Sequence, residues 1–360
     1  MNMKLLHNEL IDWYELNKRI LPWRETDDPY KIWISEIILQ QTRVAQGMEY
    51  YMRFVERFPD IQSLADAEED EVLLYWQGLG YYSRARNLHK AAQLMKNHVM
   101  FKLNNDNINN VATESTPSVA KGKTSELLNS EQIFSALKSM PGVGDYTAGA
   151  IASFAFDLPY PALDGNVYRV LSRLYDCEIP FDTTQGKKNF RKLAEELLDR
   201  EHPRLFNSAI MELGALHCVP TAPDCSTCPL NTWCKALANN TVELLPVRKP
   251  RPKVRDRYLE YTIYITPERM TLIHQRKGND IWKHLWEFVC AERTGEEAIR
   301  RKVKGEKILE LTHVLSHQKL HARFIIKNVS ELPAIPDTLV VSLNDLDNYA
   351  FSRLTLNAIE

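Results

Sequence analysis

The stretch Met140–Phe154, MPGVGDYTAGAIASF, lies between two segments with helical patterns and holds two glycines within its first five residues. Pro141 is expected to end the preceding helix, and Gly142 and Gly144 are predicted to form a tight turn through positive φ angles. Asp145 is placed to cap the second helix, whose first amide groups then point outward. Such a hairpin can present N–H donors to a phosphate, although the pattern also fits a plain connection between helices.

Helical patterns extend from this stretch in both directions. In SEQIFSALKSM, the apolar residues Ile133, Leu137 and Met140 share one face, and the pattern continues to about Ala238 with short breaks. Residues 1–100 also show helical periodicity, with a Gly-Leu-Gly break between two of the helices. Most of the chain before the last third is therefore predicted to be helical.

The composition changes at two places along the chain. Residues 101–130 are rich in Asn, Ser and Thr and are predicted to form a low-complexity inserted loop, and residues 241–256 bring prolines and basic residues typical of an interdomain linker. Beyond the linker, strands are predicted, with a helix near GEEAIRRKV and another at the C-terminus. The predicted fold class is an all-α domain at 1–240, then an α+β domain at 257–360. The predicted strands are YLEYTIYIT, MTLIHQR, LWEFVCA and HARFIIKNV.

Bulk properties limit the possible classes of protein. A chain of 360 residues is longer than one hydrophobic core usually supports, so two domains are expected. A formal net charge of −2 neither indicates nor excludes nucleic acid as a partner. The sequence shows neither a signal-peptide pattern nor an apolar run of membrane-spanning length, so no membrane association is expected. We expect a cytoplasmic location, where thiols stay reduced.

Four of the six cysteines fall within Cys218–Cys234, CVPTAPDCSTCPLNTWC, at the spacing C-x6-C-x2-C-x5-C. Disulfides are disfavoured in a reducing compartment. A structural zinc site stays open, although zinc modules usually show two short Cys/His pairs and only one C-x2-C occurs here. An iron–sulfur cluster needs four thiolates around one compact inorganic core, and clustered ligands on short loops suit that requirement. The spacing favours the cluster.

These two motifs together resemble the DNA glycosylase superfamily that includes endonuclease III. Met140–Gly144 followed by Thr147 and Ala148 resembles its helix–hairpin–helix motif, and the cysteine spacing is that of its cluster ligands. The resemblance implies a helix–hairpin–helix near 130–156 that binds the DNA backbone. It also implies a [4Fe–4S] cluster, chiefly structural and DNA-binding in role, on a loop at 218–234. The implied ligands are Cys218, Cys225, Cys228 and Cys234.

Within that superfamily, LPWR, SEIILQQT, GLGYYSRARNLHKAA and LDGNVYRVLSR are similar to the MutY family of adenine glycosylases, which remove adenine mispaired with 8-oxoguanine. The resemblance covers nearly all of residues 1–240 except the insertion. Bifunctional superfamily members carry a lysine two residues after the last motif glycine, where this chain has Tyr146, so base release without strand cleavage is implied. An endonuclease III-like enzyme for another lesion and a catalytically silent iron–sulfur DNA-binding protein remain alternatives.

Removal of adenine leaves an anionic base and an oxocarbenium-like sugar, and by analogy with glycosidases it calls for one carboxylic acid and one carboxylate. The resemblance assigns the acid to Glu36 and the carboxylate to Asp164. By itself Glu36 would be a solvated surface residue, but its apolar neighbours could hold the carboxyl protonated. Asp164 by itself would be a turn or helix-cap residue. Because general acid catalysis supplies only about 10²–10⁴-fold, Glu36 needs an electrostatic partner. Asn166 and Tyr146 are implied to position Asp164 and the sugar.

The target base must also leave the DNA stack, and the resemblance implies residues for that step. Leu21, Trp23 and Arg24 are expected to line the adenine pocket, although Trp23 alone would fit a core position. Tyr81 matches the residue that wedges beside the lesion, and Gln41 matches one that fills the gap. The DNA-binding residues implied are Gln41, Leu79, Tyr81, Gly142, Gly144, Ser316 and His317.

QRKGNDIWKHLWEFV, Gln275–Val289, resembles the start of a Nudix-type domain, which the MutY family appends to read 8-oxoguanine. The R-E-x-x-E-E box of Nudix hydrolases is absent, so hydrolase activity of this domain is not expected. THVLSHQKL matches the lesion-reading loop at Ser316 and His317, with Leu315 where the family usually has Phe, so hydrogen bonding is expected and an aromatic contact is in doubt. The implied partner is double-stranded DNA with A:8-oxoguanine or A:G mismatches, bound by a monomer.

Overall fold

The computed structural model describes residues 2–101, 128–250, 253–295 and 307–359. Most of the predicted insertion at 101–130, and nearly all of the helix predicted at GEEAIRRKV, lie outside the described residues. Within those ranges no helix combines the length and apolar character needed to cross a membrane. The contacts divide the chain into two compact units. The first comprises Met1–Gln41, Asp60–Gln62 and Ala91–Pro250, and the second comprises Thr42–Pro59, Ser63–Lys90 and Arg251–Glu360.

Helices dominate the chain up to the linker, as predicted. In chain order they are α1 (Met3–Asn17), α2 (Pro29–Ile38), α3 (Val44–Arg57), α4 (Ile61–Asp66), α5 (Glu69–Trp76), α6 (Ser83–Met95), α7 (Ser130–Ser139), α8 (Asp145–Phe156), α9 (Gly165–Tyr175), α10 (Thr184–Leu197), α11 (Pro203–Leu216) and α12 (Lys235–Ala238). Short 3₁₀ turns lie at Val99–Phe101, Asn231–Trp233 and Val242–Leu244.

Helix α2 is buried on nearly all sides. Asp28 caps its N-terminus by accepting hydrogen bonds from the backbone N–H groups of Tyr30 and Lys31, and Pro29 takes the first helical position, where its missing N–H costs nothing. Nine of its ten residues are buried. A helix that is apolar all round belongs inside a protein, so a polar side chain on it faces an enclosed environment.

The core of the first unit packs α1, α9, α10 and α11 together. Leu10 on α1, Val170 on α9, Phe190 on α10 and Phe206 on α11 belong to one cluster of buried side chains. In α7 the predicted face is confirmed, because Ile133 and Leu137 are fully buried and Met140, just after the helix, is 2% exposed. The packing of α1, α9, α10 and α11 fixes α9, whose N-terminus carries Asp164.

The second unit contains a mixed sheet, which in the described residues has six strands in the order β4-β5-β1-β3-β2-β6. Strands β1 and β5 are parallel, and the other neighbouring pairs are antiparallel. The strands are β1 (Arg255–Ile265), β2 (Met270–Gln275), β3 (Trp286–Arg293), β4 (Lys307–Val314), β5 (Gln318–Asn328) and β6 (Leu339–Ser342), followed by a 3₁₀ turn at Leu343–Asn348 and helix α13 (Arg353–Ile359). The four predicted strands and the C-terminal helix are present, whereas the prediction missed β4 and β6.

The compact units do not follow the division predicted at the linker. The second unit includes Thr42–Pro59 and Ser63–Lys90 from the helical segment as well as the sheet. Strand β1 begins at Arg255, inside the predicted linker at 241–256, because Arg255 and the next residue already pair in register with β5. The predicted domains therefore describe the order of secondary structure, and the compact units describe which parts pack together.

Candidate active site

Glu36 lies on α2 with only 2% of its surface exposed, so it is not a solvated surface residue. The Tyr146 hydroxyl donates to Oε2 of Glu36 at 2.5 Å. The two Nη atoms of Arg24 each donate to Oε1 at 3.3 Å. Both carboxyl oxygens therefore accept hydrogen bonds from residues far away in sequence, and the carboxyl group is held in one orientation.

Tyr146 stands in the first turn of α8, where the helix–hairpin–helix motif ends. Burial raises the pKa of Tyr146 well above its ordinary value, and the charges of Glu36 and Asp164 add to the rise. Tyr146 therefore keeps its proton and acts as a hydrogen-bond donor. The phenol lies where bifunctional relatives would need an amine, and a neutral phenol is not the nucleophile that forms a Schiff base with a sugar.

Asp164 caps α9, as its sequence context predicts. Its Oδ1 accepts from the backbone N–H of Val167 at 2.7 Å, and its Oδ2 accepts from the side-chain amide of Asn166 at 2.9 Å. The side-chain oxygen Oδ1 of Asn166 in turn accepts from Nη2 of Arg169 at 2.9 Å. Nε of Arg169 donates to the backbone carbonyl of Cys218 at 2.7 Å. A continuous chain of hydrogen bonds thus joins the candidate carboxylate to the first cysteine of the cluster motif.

The electrostatic environment of Asp164 is a balance of opposing effects. Burial raises the pKa of Asp164 above its ordinary value of 3.8, the hydrogen bonds from Val167 and Asn166 lower it, and the charge of Glu36 raises it further. The net shift is upward. Ionised Asp164 is therefore costly in the free protein, and a positive charge that develops beside it would relieve that cost.

A glycine allows α8 to approach the segment that precedes Asp164. Gly149 lies on α8, one turn after Tyr146, and a Cβ atom added there would meet the backbone oxygen of Pro161 at 2.4 Å. Pro161 lies three residues before Asp164. Any side chain at position 149 would therefore push α8 away from the segment that carries the second carboxyl group.

A cavity of about 250 Å³ in the first unit includes Trp23, Arg24 and Phe154 among its lining residues. Arg24 is its link to the candidate acid, because Glu36 itself is not among the lining residues. The guanidinium of Arg24 stacks over the Phe154 ring at 3.8 Å from its centroid. Trp23 is 1% exposed and Leu21 is 8% exposed, so both also fit core positions. Trp23 and Arg24 line this cavity, whereas Leu21 is not among its lining residues.

The hairpin differs from the prediction in two details. Gly142 has φ of +80°, as expected of the turn, but Gly144 has φ of −89° and is the extended residue that precedes α8. The predicted positive φ at Gly144 is therefore wrong. Asp145 is the first helical residue rather than the cap, and it pairs with Lys138 and with Arg191 at 3.8 Å. Because Gly144 has no side chain, the first amides of α8 are left uncapped at that position, which suits a phosphate.

Two exposed residues of the predicted DNA surface have unusual backbones. Gln41 follows α2 with φ of +57°, and Tyr81 precedes α6 with φ of +49° and 45% of its surface exposed. Positive φ is uncommon outside glycine and is found disproportionately at functional sites. Leu79, by contrast, is 8% exposed and its backbone N–H donates to the carbonyl of Trp76 at 3.1 Å, so little of this residue is accessible for the predicted contact with DNA.

The four clustered cysteines line one small cavity of about 30 Å³. In the part of the chain that the structure describes, no three His, Cys, Asp or Glu side chains form a site for a single metal ion. Burial raises the pKa of the thiols at Cys225, Cys228 and Cys234, and repulsion from Cys218 adds to the rise at each of them. The thiols therefore lie close together and need a bound cation to become thiolates.

Two buried arginines on α9 were missed by the sequence analysis. Arg173 is 2% exposed and donates to Sγ of Cys218 at 3.4 Å and to the backbone oxygen of Val219 at 2.7 Å. Arg169 is 7% exposed and is the middle member of the series of hydrogen bonds from Asn166 to Cys218 described above. Their signal was present in LDGNVYRVLSR, where two arginines four residues apart lie on one face of the helix.

The predicted lesion-reading loop connects β4 and β5 in the second unit. Ser316 and His317 are exposed, and the Oγ of Ser316 lies 3.1 Å from Nδ1 of His317. The backbone N–H of Leu315 donates to the carbonyl of Gln318 at 2.8 Å, and that of Arg255 donates to the carbonyl of His317 at 3.1 Å. The backbone of the loop is therefore fixed, while its polar side chains project outward.

Family models match both parts of the chain. Residues 34–200 match the HhH-GPD superfamily of base excision DNA repair proteins, and residues 261–360 match the NUDIX domain. The helical part also resembles a solved thermostable thymine-DNA glycosylase, with a TM-score of 0.52 and 23% identity over 66% of this chain and 97% of that chain. At this identity the structural match supports the fold alone, and it confirms the predicted helical glycosylase fold.

Curated relatives extend the match to nearly the whole chain. The adenine DNA glycosylase of Buchnera aphidicola subsp. Baizongia pistaciae is 32% identical over 355 residues, which cover 96% of this chain and 93% of that protein. The adenine DNA glycosylase of Rattus norvegicus is 39% identical over 235 residues, which cover 63% of this chain and 40% of that protein. The chain therefore belongs to the adenine DNA glycosylase family and is a DNA N-glycosylase.

Proposed function

We propose that this enzyme excises adenine mispaired with 8-oxoguanine or guanine and leaves the DNA strand intact. The observation that carries the proposal is the position of Arg24, which hydrogen-bonds Glu36 and also lines the cavity with Trp23 and Phe154. At about 250 Å³ the cavity is slightly smaller than the roughly 300–1,000 Å³ of typical small-molecule pockets, which suits a single planar base. Its lining combines aromatic residues with charged ones such as Arg24 and Asp157, which offer hydrogen bonds to the polar edge of a base.

In this proposal Glu36 is the general acid that protonates the departing adenine, and Asp164 stabilises the sugar cation. Because both Glu36 oxygens accept hydrogen bonds in the free protein, Glu36 takes up its proton from water when the substrate binds. Protonation alone supplies about 10²–10⁴-fold, so the second carboxyl group is required for a full enzymatic acceleration. Asp164 suits that role because burial makes its negative charge costly until a positive charge forms beside it. The amide of Asn166 and the phenol of Tyr146 hold the two carboxyl groups in place.

The absence of strand cleavage follows from Tyr146. A lyase would need an amine at this position to form a Schiff base with the sugar, and the phenol keeps its proton. Water, rather than a protein amine, would then complete the reaction. The enzyme would leave an abasic site in an unbroken strand.

One duplex tests this proposal directly. The purified protein would be incubated with DNA that carries a single adenine opposite 8-oxoguanine, and half of each sample would be treated with hot alkali before electrophoresis. We expect cleavage at the adenine only after alkali. Cleavage without alkali would reveal an amine nucleophile and contradict the role of Tyr146. Intact DNA in both halves would contradict the proposed substrate. A duplex with adenine opposite thymine is the matched control.

We also propose that Cys218, Cys225, Cys228 and Cys234 hold a [4Fe–4S] cluster. Four thiols around one cavity fit a compact inorganic core, and the Arg173 guanidinium beside Cys218 offsets negative charge on the thiolates. The cluster would supply structural support for the loop and would take no part in hydrolysis. Through Arg169 and Asn166 that support would extend to Asp164.

The cluster is tested by replacing one ligand. Cys225→Ser is expected to lose the iron, the acid-labile sulfide and the visible absorption of the purified protein. Cys177→Ser, outside the cluster motif, is expected to keep all of them. Equal iron and sulfide in the two variants would contradict the ligand assignment, and zinc in place of iron would favour the alternative metal site.

The sheet-containing part of the chain is proposed to read the lesion through Ser316 and His317. Their exposed side chains offer a hydroxyl and an imidazole to the edge of 8-oxoguanine, while Leu315 replaces the aromatic contact with an aliphatic one. The partner in this proposal is double-stranded DNA. A monomeric state and a cytoplasmic location remain predictions from the sequence.

A further inference from the structure

Two adjacent tyrosines between α5 and α6 have opposite environments. Tyr81 has 45% of its surface exposed and a left-handed backbone, with φ of +49°. Tyr82 is 4% exposed, and burial raises its pKa to about 12, so it stays protonated. The exposed tyrosine is the residue that the proposed function places beside the lesion. The buried one has no role in that proposal.

The buried tyrosine joins its own loop to the core of the sheet. The Tyr82 hydroxyl accepts from the backbone N–H of Gly78 at 3.2 Å and donates to the backbone oxygen of Phe351 at 3.3 Å. The side-chain oxygen of Gln77 accepts from the backbone N–H of Phe351 at 2.8 Å. Both backbone polar groups of Phe351 are therefore bound to the loop at 77–82, which carries Tyr81.

Phe351 is a rigid anchor for these hydrogen bonds. Its side chain is 1% exposed and packs in the sheet core with Phe288 and Leu354. Its backbone also forms a bridge with Trp286 at the start of β3. A loop bound to this residue takes its position from the sheet.

Helices α5 and α6 are tied to the same sheet on either side of the loop. Asp70 accepts from the Gln275 side chain at 2.9 Å and from the indole N–H of Trp286 at 3.4 Å. Nη1 of Arg86 donates to the backbone oxygen of Lys283 at 2.7 Å. All of these residues belong to the second compact unit, so the loop is bound to the sheet at its centre and at both flanks.

Local contacts fix one part of the loop but do not pack the Tyr81 ring. The carbonyl of Gly80 accepts from the indole of Trp76 at 3.1 Å and from Nη2 of Arg84 at 3.2 Å. The Arg84 guanidinium lies 5.7 Å from the centroid of the Tyr81 ring, a loose contact. The direction of the Tyr81 side chain therefore depends on the backbone of its loop.

We propose that Tyr82 and Gln77 are positioning residues, which hold the loop that carries Tyr81 through their hydrogen bonds to Phe351. By fixing the backbone of Tyr81 they increase the preference of the enzyme for 8-oxoguanine over guanine opposite the target adenine. This inference rests on the proposed function, because it assumes that Tyr81 contacts the DNA beside the lesion. It assigns to the sheet-containing part a second contribution to specificity, which acts through the helical segment and is separate from the Ser316–His317 loop.

The first test is Tyr82→Phe, which removes the hydroxyl and keeps the ring that fills the core. The measured quantity is the ratio of single-turnover excision rates for adenine opposite 8-oxoguanine and opposite guanine. We expect this ratio to fall by roughly 2- to 10-fold, the range expected for loss of one ordinary hydrogen bond. Tyr75→Phe, on the preceding helix, is the matched control and should leave the ratio unchanged. An unchanged ratio in Tyr82→Phe would overturn the inference.

A double-mutant cycle separates positioning from general support of the fold. If Tyr82 acts through Tyr81, then Tyr82→Phe should change the ratio in the parent enzyme but not in a Tyr81→Ala background. An equal decrease of the rate ratio in both backgrounds would overturn the positioning role of Tyr82. If Tyr81→Ala alone leaves the ratio unchanged, the contact between Tyr81 and DNA is refuted. That result would contradict the part of the proposed function on which the inference rests.

Gln77 provides an independent pair of variants. Gln77→Leu removes the acceptor for the Phe351 N–H and should lower the ratio, whereas Gln77→Glu keeps an acceptor oxygen and should restore most of it. Thermal unfolding of each variant, followed alongside, identifies any that fail to fold. Equal ratios for the Leu and Glu variants would contradict the role of this hydrogen bond.

Discussion

The group around Glu36 and Asp164 and the loop at Ser316 and His317 represent two ways of building a functional site. Glu36 is 2% exposed and is held by hydrogen bonds from two side chains distant in sequence. Ser316 and His317 are exposed, and their side chains lie within hydrogen-bond distance of each other. The first group is already assembled in the protein alone. The second presents exposed polar side chains on a fixed backbone.

This difference follows from what each site has to do. A group that stabilises charge in a transition state works best when it is already fixed, because no reorganisation is then needed during the reaction. A group that tests one base against another has to form contacts only with the correct partner, so exposed polar side chains on a firm backbone suffice. We therefore expect substitutions in the first site to affect rate and those in the second to affect selectivity.

The largest effect is expected for Glu36→Gln. Loss of the acid should lower the single-turnover rate of adenine release by at least about 10²–10⁴-fold, while binding to the mismatched duplex persists because the amide keeps the shape of the side chain. Rate and affinity would be measured by quench-flow and fluorescence anisotropy. Glu9→Gln, on the exposed face of α1, is the control. A rate within tenfold of the parent would show that Glu36 is not the acid.

A smaller effect is expected for Ser316→Ala combined with His317→Ala. Loss of these contacts should narrow the preference for 8-oxoguanine over guanine opposite adenine by roughly 3- to 10-fold, in line with one or two ordinary hydrogen bonds. The rate on the guanine mismatch should change little. Competition between the two duplexes measures the preference, with Ser330→Ala as control. A parallel loss of rate on both duplexes would remove this loop from lesion reading and sharpen the contrast with Glu36.

The smallest effect is expected in the stability of Asp164→Asn. Because the pKa of Asp164 is raised in the folded state, its ionised form destabilises the protein at neutral pH, and the cost disappears as pH falls towards 3.8. The variant also loses one of the two acceptor oxygens that bind Val167 and Asn166, so the charge effect is read from the pH dependence. The unfolding temperature of the variant relative to the parent should fall as pH is lowered, because the parent then loses the cost of its charge. Thermal unfolding across pH measures this, with Asp12→Asn as control. A difference between variant and parent that does not change with pH would contradict the cost assigned to the charge.

Much of the local structure could be predicted because it depends on neighbours in sequence. The buried face of α7 follows from the spacing of Ile133 and Leu137, and the cap at Asp164 follows from its place before a helix. Strands β4 and β6 were missed because β4 has no fully buried residue and β6, although apolar, is only four residues long, too short to show a period of two. Their pairing with β5 and β2 defines them.

The candidate site was predicted by resemblance, while its contacts depend on distant parts of the chain. Nothing in the sequence near Glu36 indicates that Tyr146, 110 residues later, donates to its carboxyl group. The cap predicted at Asp145 failed for a similar reason, because partners on other helices, Lys138 and Arg191, hold its carboxylate. Sequence spacing reports the elements well, and tertiary contacts decide which side chains meet.

Gly149 shows how far a reaction can constrain a residue that has no functional group. The backbone oxygen of Pro161 occupies the space where a side chain would begin, one helical turn from Tyr146 and three residues from Asp164. A random mutagenesis screen for lost adenine release should therefore return this position beside the acidic residues. For an engineer who wishes to widen the substrate range of the enzyme, α8 cannot be redesigned separately from the segment before Asp164, because a Cβ atom at position 149 would collide with the backbone of Pro161.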